Sequence, residues 1–195
     1  MVAEQVKISP QEYLRLEREA LFRSEYVNGE IIEMAGASIN HNMIKENVAI
    51  QIGSHVRTNG TGCRSYSSDQ RVTVPTDSLY AYPDIVVVCG PNQFRDEQPD
   101  TLTNPILIVE VLSPGTAAFD RGDKFALYRQ SDSLREYVLI ESGKVRAEVY
   151  RKHTEGYWFL ADETSSLTAS ISLTTITFAL SMATAYADTN GLLAA

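Results

Sequence analysis

The chain has 195 residues, 44% hydrophobic and 22% charged, the balance of an ordinary globular protein that can bury about two-thirds of its unfolded surface without staples. With 17 Lys and Arg against 25 Asp and Glu, its net charge of −8 excludes tight, non-specific nucleic-acid binding through a broad basic surface, though not binding through a local groove or a metal-bridged phosphate. Cys63 and Cys89 lack metal-ligand spacing and read as reduced thiols of a cytoplasmic protein, with a disulfide as the alternative, and the N-terminus shows no export pattern.

Residues 1–8 read as a loose start, 9–187 as a single domain and 188–195 as a tail. Ser9-Pro10-Gln11-Glu12 is a helix entry, with Ser9 as cap, Pro10 at the first helical position and Glu12 completing a capping box. That helix is expected to reach about Ala20. Glu25 to Met34 predicts a hairpin turning on Asn28-Gly29, a pair that tolerates positive φ. A second helix is predicted from Ser38 or Asn40 to about Arg57, with Ile44, Val48 and Ile52 forming an apolar stripe at i, i+4 and i+8. His41 and Lys45 lie near that stripe, and Glu46 lies off it.

Cys63 to Val74 predicts one strand, closed by Pro75-Thr76-Asp77-Ser78. Two apolar strands follow, Asp84–Cys89 and Ile106–Leu112, joined by a polar connection from Gly90 to Asn104 that is long enough to be functional or mobile. A helix is expected over Thr116–Gln130, then strands over Glu136–Ile140, Val145–Tyr150 and Tyr157–Leu160. A helical crossing between Ser113 and Glu136 lets the strand over 136–140 lie parallel to that over 106–112. The uncharged stretch Thr164–Ala187 alternates at Leu167, Ala169, Ile171 and Leu173, which predicts a strand and not a membrane span. A short helix is expected over Thr177–Ala187. The fold class is α/β (α+β): a mixed sheet flanked by helices, with an N-terminal helix and hairpin and extra C-terminal strands.

The chemistry sits in the two central strands, each of which carries one carboxylate. A charge inside an apolar strand costs several kcal/mol unless it is paired or metal-bound. Asp84, Val86 and Val88 share one face; Ile106, Ile108, Glu110 and Leu112 share another. Antiparallel pairing would bring both acids to one face near one end. Two carboxylates plus waters suit Mg²⁺, which can polarise a phosphoryl oxygen and lower the pKa of bound water. Asp120, Lys124 and Tyr128, spaced i, i+4 and i+8, would turn one helix face toward that site. Taken singly, Asp84 reads as a turn or strand cap, Glu110 as an ion-pair partner of Lys124, and His41 as a packing histidine; the combination carries the functional reading.

Tyr82-Pro83-Asp84, then Ile108-Val109-Glu110-Val111-Leu112-Ser113-Pro114, then Asp120-Arg121-Gly122-Asp123-Lys124-Phe125-Ala126-Leu127-Tyr128 resembles the Uma2-like family of restriction-endonuclease-type proteins within the PD-(D/E)XK nuclease superfamily. The resemblance covers about Ser9 to Leu173. It implies a restriction-endonuclease-like core and an Mg²⁺- or Mn²⁺-dependent endonuclease acting on DNA in preference to RNA. It also implies Asp84 and Glu110 as metal ligands, joined by the carbonyl of Val111. The superfamily lysine two residues after the second acid is replaced here by Leu112, and Lys124 on the following helix fits a relocated lysine that positions or activates water. Glu46 matches an additional acid found in some members, and Asp120 is a further candidate. A homodimer is expected, since nucleases that cut both strands are often two-fold symmetric. The competing reading is a catalytically inactive binding or scaffold module on the same fold, which the missing strand lysine and the net charge of −8 favour.

Overall fold

The computed structural model describes residues 7–34, 36–60 and 62–192. The first helix, α1 (Pro10–Glu19), opens as its sequence predicts: the Ser9 side chain accepts from the Glu12 amide. The hairpin β1 (Ser24–Val27) and β2 (Glu30–Glu33) turns on Asn28 and Gly29, with φ of 51° and 100°. Helix α2 (Ile39–Thr58) is capped by Ser38 and buries Ile44, Val48, Ile52 and Val56 along its predicted stripe.

The strand expected over 63–74 is two strands in different sheets, β3 (Cys63–Ser67) and β4 (Arg71–Thr73). Between them the chain turns, with the Gln70 amide donating to the Ser67 carbonyl. Next come β5 (Leu79–Ala81) and the first central strand, β6 (Ile85–Cys89). The long connection after β6 is tied down: it contains β7 (Thr101–Leu102), Arg95 pairs with Asp77, and Arg18 reaches both Asp96 and Asp100.

The second central strand is β8 (Leu107–Leu112). The single helix expected over 116–130 is two short ones, α3 (Ala117–Arg121) and α4 (Asp123–Tyr128). They part at Gly122, whose φ of −103° and ψ of −98° leave the helical region. Strands β9 (Glu136–Glu141), β10 (Ala147–Lys152) and β11 (Trp158–Thr164) follow in a meander. The chain then forms β12 (Ser170–Leu173) and β13 (Phe178–Ser181), with only Met182–Ala185 helical (α5). The terminal helix expected from Thr177 therefore begins as a strand: Thr177, at φ 55°, reverses the chain and β13 pairs back onto β12.

Among the described residues the main sheet has six strands in the order β11-β10-β9-β8-β6-β3, and β8 and β9 run parallel as expected. A second sheet runs β2-β1-β5-β4-β7. Helix α2, β12, β13 and α5 cover one face of the main sheet through Ile85, Val87, Val109 and Val111. Helix α4 and the second sheet cover the opposite face through Val86, Val88, Ile108 and Leu112. Tyr13, Leu14, Tyr26 and Tyr80 seal α1 onto the hairpin sheet.

Cys63 and Cys89, expected as free thiols, stand directly opposite in the β3–β6 pair and form a disulfide. Of the termini expected to be loose, residues 1–6 and 193–195 lie outside the described residues. The Ile8 amide donates to Gly29, and the Asn190 amide donates to the Asn40 side chain. No helix among the described residues is long and apolar enough to cross a membrane.

Candidate active site

The two acids meet because β6 and β8 pair antiparallel, Ile85 opposite Val109 and Val86 opposite Ile108. One further step of that register sets Asp84 against Glu110. The Asp84 amide lies 3.4 Å from Glu110 Oε2, and the Val111 amide donates to Asp84 Oδ2 at 2.8 Å. Both side chains share the face of Val86, Val88, Ile108 and Leu112, at the end of the strands where a cavity of about 290 Å³ opens.

Lys124 is delivered to this cavity by α4 and is only 5% exposed. Its Nζ lies 3.1 Å from Glu110 Oε1 and 3.0 Å from Glu25 Oε1, with Asp120 Oδ1 at 3.6 Å. The Tyr128 hydroxyl donates to the same Glu110 oxygen at 3.2 Å. The break at Gly122 does not separate Asp120 from Lys124, which still face each other four residues apart. From the other side, α2 supplies His41, whose Nε2 is 3.3 Å from Asp84 Oδ2, while its Nδ1 is buried with no hydrogen-bond partner among the described residues.

Three buried carboxylates, Glu25, Glu110 and Asp120, thus share Lys124, with a fourth, Asp84, beside Glu110 and His41. Burial is the largest influence on Glu110: it pushes that carboxyl up to about 8, against the pull of Lys124 and with help from Asp120, Asp84 and Glu25. Burial and the neighbouring acids likewise raise Asp120 despite Lys124. For Lys124 burial favours the neutral amine, but Glu110, Glu25 and Asp120 outweigh it and hold the group well above its usual value. The surrounding acids thus favour the charged form of Lys124, while their mutual repulsion and burial favour the protonated forms of Glu110 and Asp120.

The Uma2 family, described as "Putative restriction endonuclease", matches residues 10–184. The chain belongs to the Uma2 family. The chain is also similar to two proteins from Synechocystis sp., each titled only as an uncharacterized protein. With slr1290 it is 36% identical over 160 residues, 82% of each chain. With sll1609 it is 38% identical over 154 residues, 77% of this chain and 84% of the relative. Its fold is that of a crystal structure titled a "putative nuclease belonging to DUF820" from Anabaena variabilis, with a TM-score of 0.73 and 21% identity, covering 92% of this chain and 97% of the other.

Within this Uma2 chain, Asp84, Glu110, Val111, Lys124 and Asp120 all line the one cavity. Glu46 does not join them. It is exposed on α2 and lines a separate cavity of about 300 Å³ between that helix and β3. Sequence reasoning passed over Glu25, which sits between Ser24 and Tyr26 in the predicted hairpin, and treated His41 as packing. No local signal marks either, because Glu25 meets Lys124 and His41 meets Asp84 only through tertiary contacts. Among the described residues no group of three or more His, Cys, Asp or Glu side chains is arranged to hold a metal ion. The donor set that suits a cation is the Asp84–Glu110 pair, whose hard carboxylate oxygens match the preference of Mg²⁺ for a few carboxylates completed by water.

Proposed function

We propose that this protein is a divalent-metal-dependent nuclease that hydrolyses phosphodiester bonds, with DNA the favoured substrate. The observation that carries the reading is the facing of Asp84 and Glu110 across β6 and β8 with a buried lysine ammonium 3.1 Å from one of them. Family and fold support the nuclease class. The acid-rich, cation-poor balance of the cavity supports a bound Mg²⁺ or Mn²⁺ on Asp84 and Glu110, with the Val111 carbonyl as a further ligand. When bound, that ion supplies Lewis-acid polarisation of the phosphate and acidifies a water ligand.

The protein's own groups do the rest. Lys124, beside Glu110, positions or activates the attacking water and stabilises the charge that grows on the phosphate in the transition state. It takes the role that Leu112, buried in the apolar core, cannot fill. Tyr128 holds Glu110 Oε1, and the Val111 amide holds Asp84 Oδ2, so both acids are fixed in place. A two-fold homodimer would present one such site to each strand of a duplex.

The test is cleavage of a broad panel of duplex DNA, single-stranded DNA and RNA by purified protein with Mg²⁺ or Mn²⁺. Asp84→Ala is expected to abolish cleavage. Wild-type-like cleavage by that variant removes the site assignment. A protein that binds nucleic acid but cuts none of the panel is instead an inactive module on a nuclease fold.

A further inference from the structure

Glu25 belongs to a different sheet from the two central acids, yet its carboxylate reaches their cavity. Strand β1 alternates: Tyr26 turns into the aromatic cluster under α1, so its neighbour Glu25 turns the other way. There Glu25 Oε1 meets two groups at once, Lys124 Nζ at 3.0 Å and the Tyr82 amide at 3.1 Å. Tyr82 lies two residues before Asp84. One oxygen therefore ties the hairpin, the lead-in to the first acid and the helix-borne lysine together. Of the other two acids near Lys124, Glu110 is half of the proposed metal pair, and Asp120 stands at 3.6 Å, beyond hydrogen-bond length.

We infer that Glu25 is the positioning residue that fixes the Lys124 ammonium beside the Asp84–Glu110 pair. A strand lysine is aimed by the sheet itself. Lys124 stands at the end of a flexible four-carbon stem on a helix of six residues, Asp123–Tyr128, and needs a fixed anion to aim it. Glu25 is such an anion, because its own place is set by the register of β1 on β5 (Tyr26 opposite Tyr80) and by the bond from the Tyr82 amide. Engagement by Glu110 alone would leave the ammonium free to move whenever that carboxylate is drawn to another cation. The catalytic meaning of this role rests on the nuclease reading; the placement of Lys124 does not.

The experiment compares wild type with Glu25→Gln, which keeps an acceptor for the Tyr82 amide and removes only the charge. Metal-free protein is reductively methylated with formaldehyde, and Lys124 modification is followed by mass spectrometry against exposed Lys7. Glu25→Gln is expected to speed labelling of Lys124 about tenfold or more, the size of a modest local opening. Glu25→Asp, charged but shorter, is expected to fall between the two and serves if the glutamine variant does not fold. Unchanged labelling in both variants overturns the inference. In calorimetry with Mn²⁺ alone, Glu25→Gln is expected to bind nearly as wild type does; a loss of about tenfold or more, the size seen for groups that hold or orient a metal ligand, overturns it. On any nucleic acid the wild type cuts, kcat is expected to fall about a hundredfold with KM unmoved. Adding Glu25→Gln to Lys124→Met should then cost nothing further, whereas additive losses overturn the inference. If the wild type cuts nothing, the nuclease reading fails on its own, and labelling and calorimetry still decide the place of Glu25.

Discussion

Replacing Lys124 with methionine removes the one ammonium among Glu25, Glu110, Asp120 and Asp84 while nearly preserving volume. Its Nζ has carboxylate oxygens at 3.0, 3.1 and 3.6 Å and is almost wholly shielded from water. Breaking a buried ion pair from one side leaves its partner charge uncompensated, which costs about 3–5 kcal/mol. At about 2–4 °C per kcal/mol for a chain of this size, the melting temperature of the metal-free protein is expected to fall by roughly 6–20 °C. Urea denaturation in EDTA at pH 8 measures the free energy directly. Removing one acid as well, in Lys124→Met with Glu110→Gln, should restore part of the loss, with a coupling of about 1–3 kcal/mol. Lys45→Met is the control: Lys45, at the rim of the same cavity, is half-buried and donates to the Ser68 hydroxyl. A loss below about 1 kcal/mol for Lys124→Met, the scale of a surface pair, would show that water screens the cluster and would refute the charge argument.

The Cys63–Cys89 disulfide closes a separation of 26 residues, so replacing both cysteines with serine is expected to lower stability by about 3–4 kcal/mol in urea; an unchanged midpoint would remove the clip from the account. For Asp100, burial alone would raise the carboxyl, but hydrogen bonds from Arg18 and Thr101 and the charge of Arg71 hold it at about 2. Because the folded value is depressed, the stabilisation is complete above the unfolded value near 3.8 and is lost as pH falls through about 2. Asp100→Asn should therefore flatten the acid limb of stability between those values, and an equally steep limb in the variant would rule Asp100 out as its source.

The acids of the site were legible because charge inside an apolar run is conspicuous. Once Ile85–Cys89 and Leu107–Leu112 are strands, side-chain parity groups Asp84 with Val86 and Val88 and Glu110 with Ile108 and Leu112, and antiparallel pairing then brings the two acids together. The Asn28-Gly29 turn and the parallel β8–β9 pair were legible for comparable local reasons. Strands β5 and β7, of three and two residues, are too short for alternation to register, so the second sheet went unseen. With that sheet missing, nothing could bring Glu25 across to Lys124. Helix α2 shows the same limit from another direction: its stripe predicted the packing face, but the reach of His41 to Asp84 depends on how the helix start sits over the strand end.

Strand β5 ends at Ala81 and β6 begins at Ile85, so the chain passes from one sheet to the other in three residues, Tyr82, Pro83 and Asp84. Proline stiffens that passage by locking φ. The seam between the two sheets is thus a short, rigid hinge pin with a proposed metal ligand at its end. The path along this crossing from the hairpin sheet to the proposed metal pair is three residues long, so Asp84 can move relative to Tyr82 only within the freedom that Pro83 leaves.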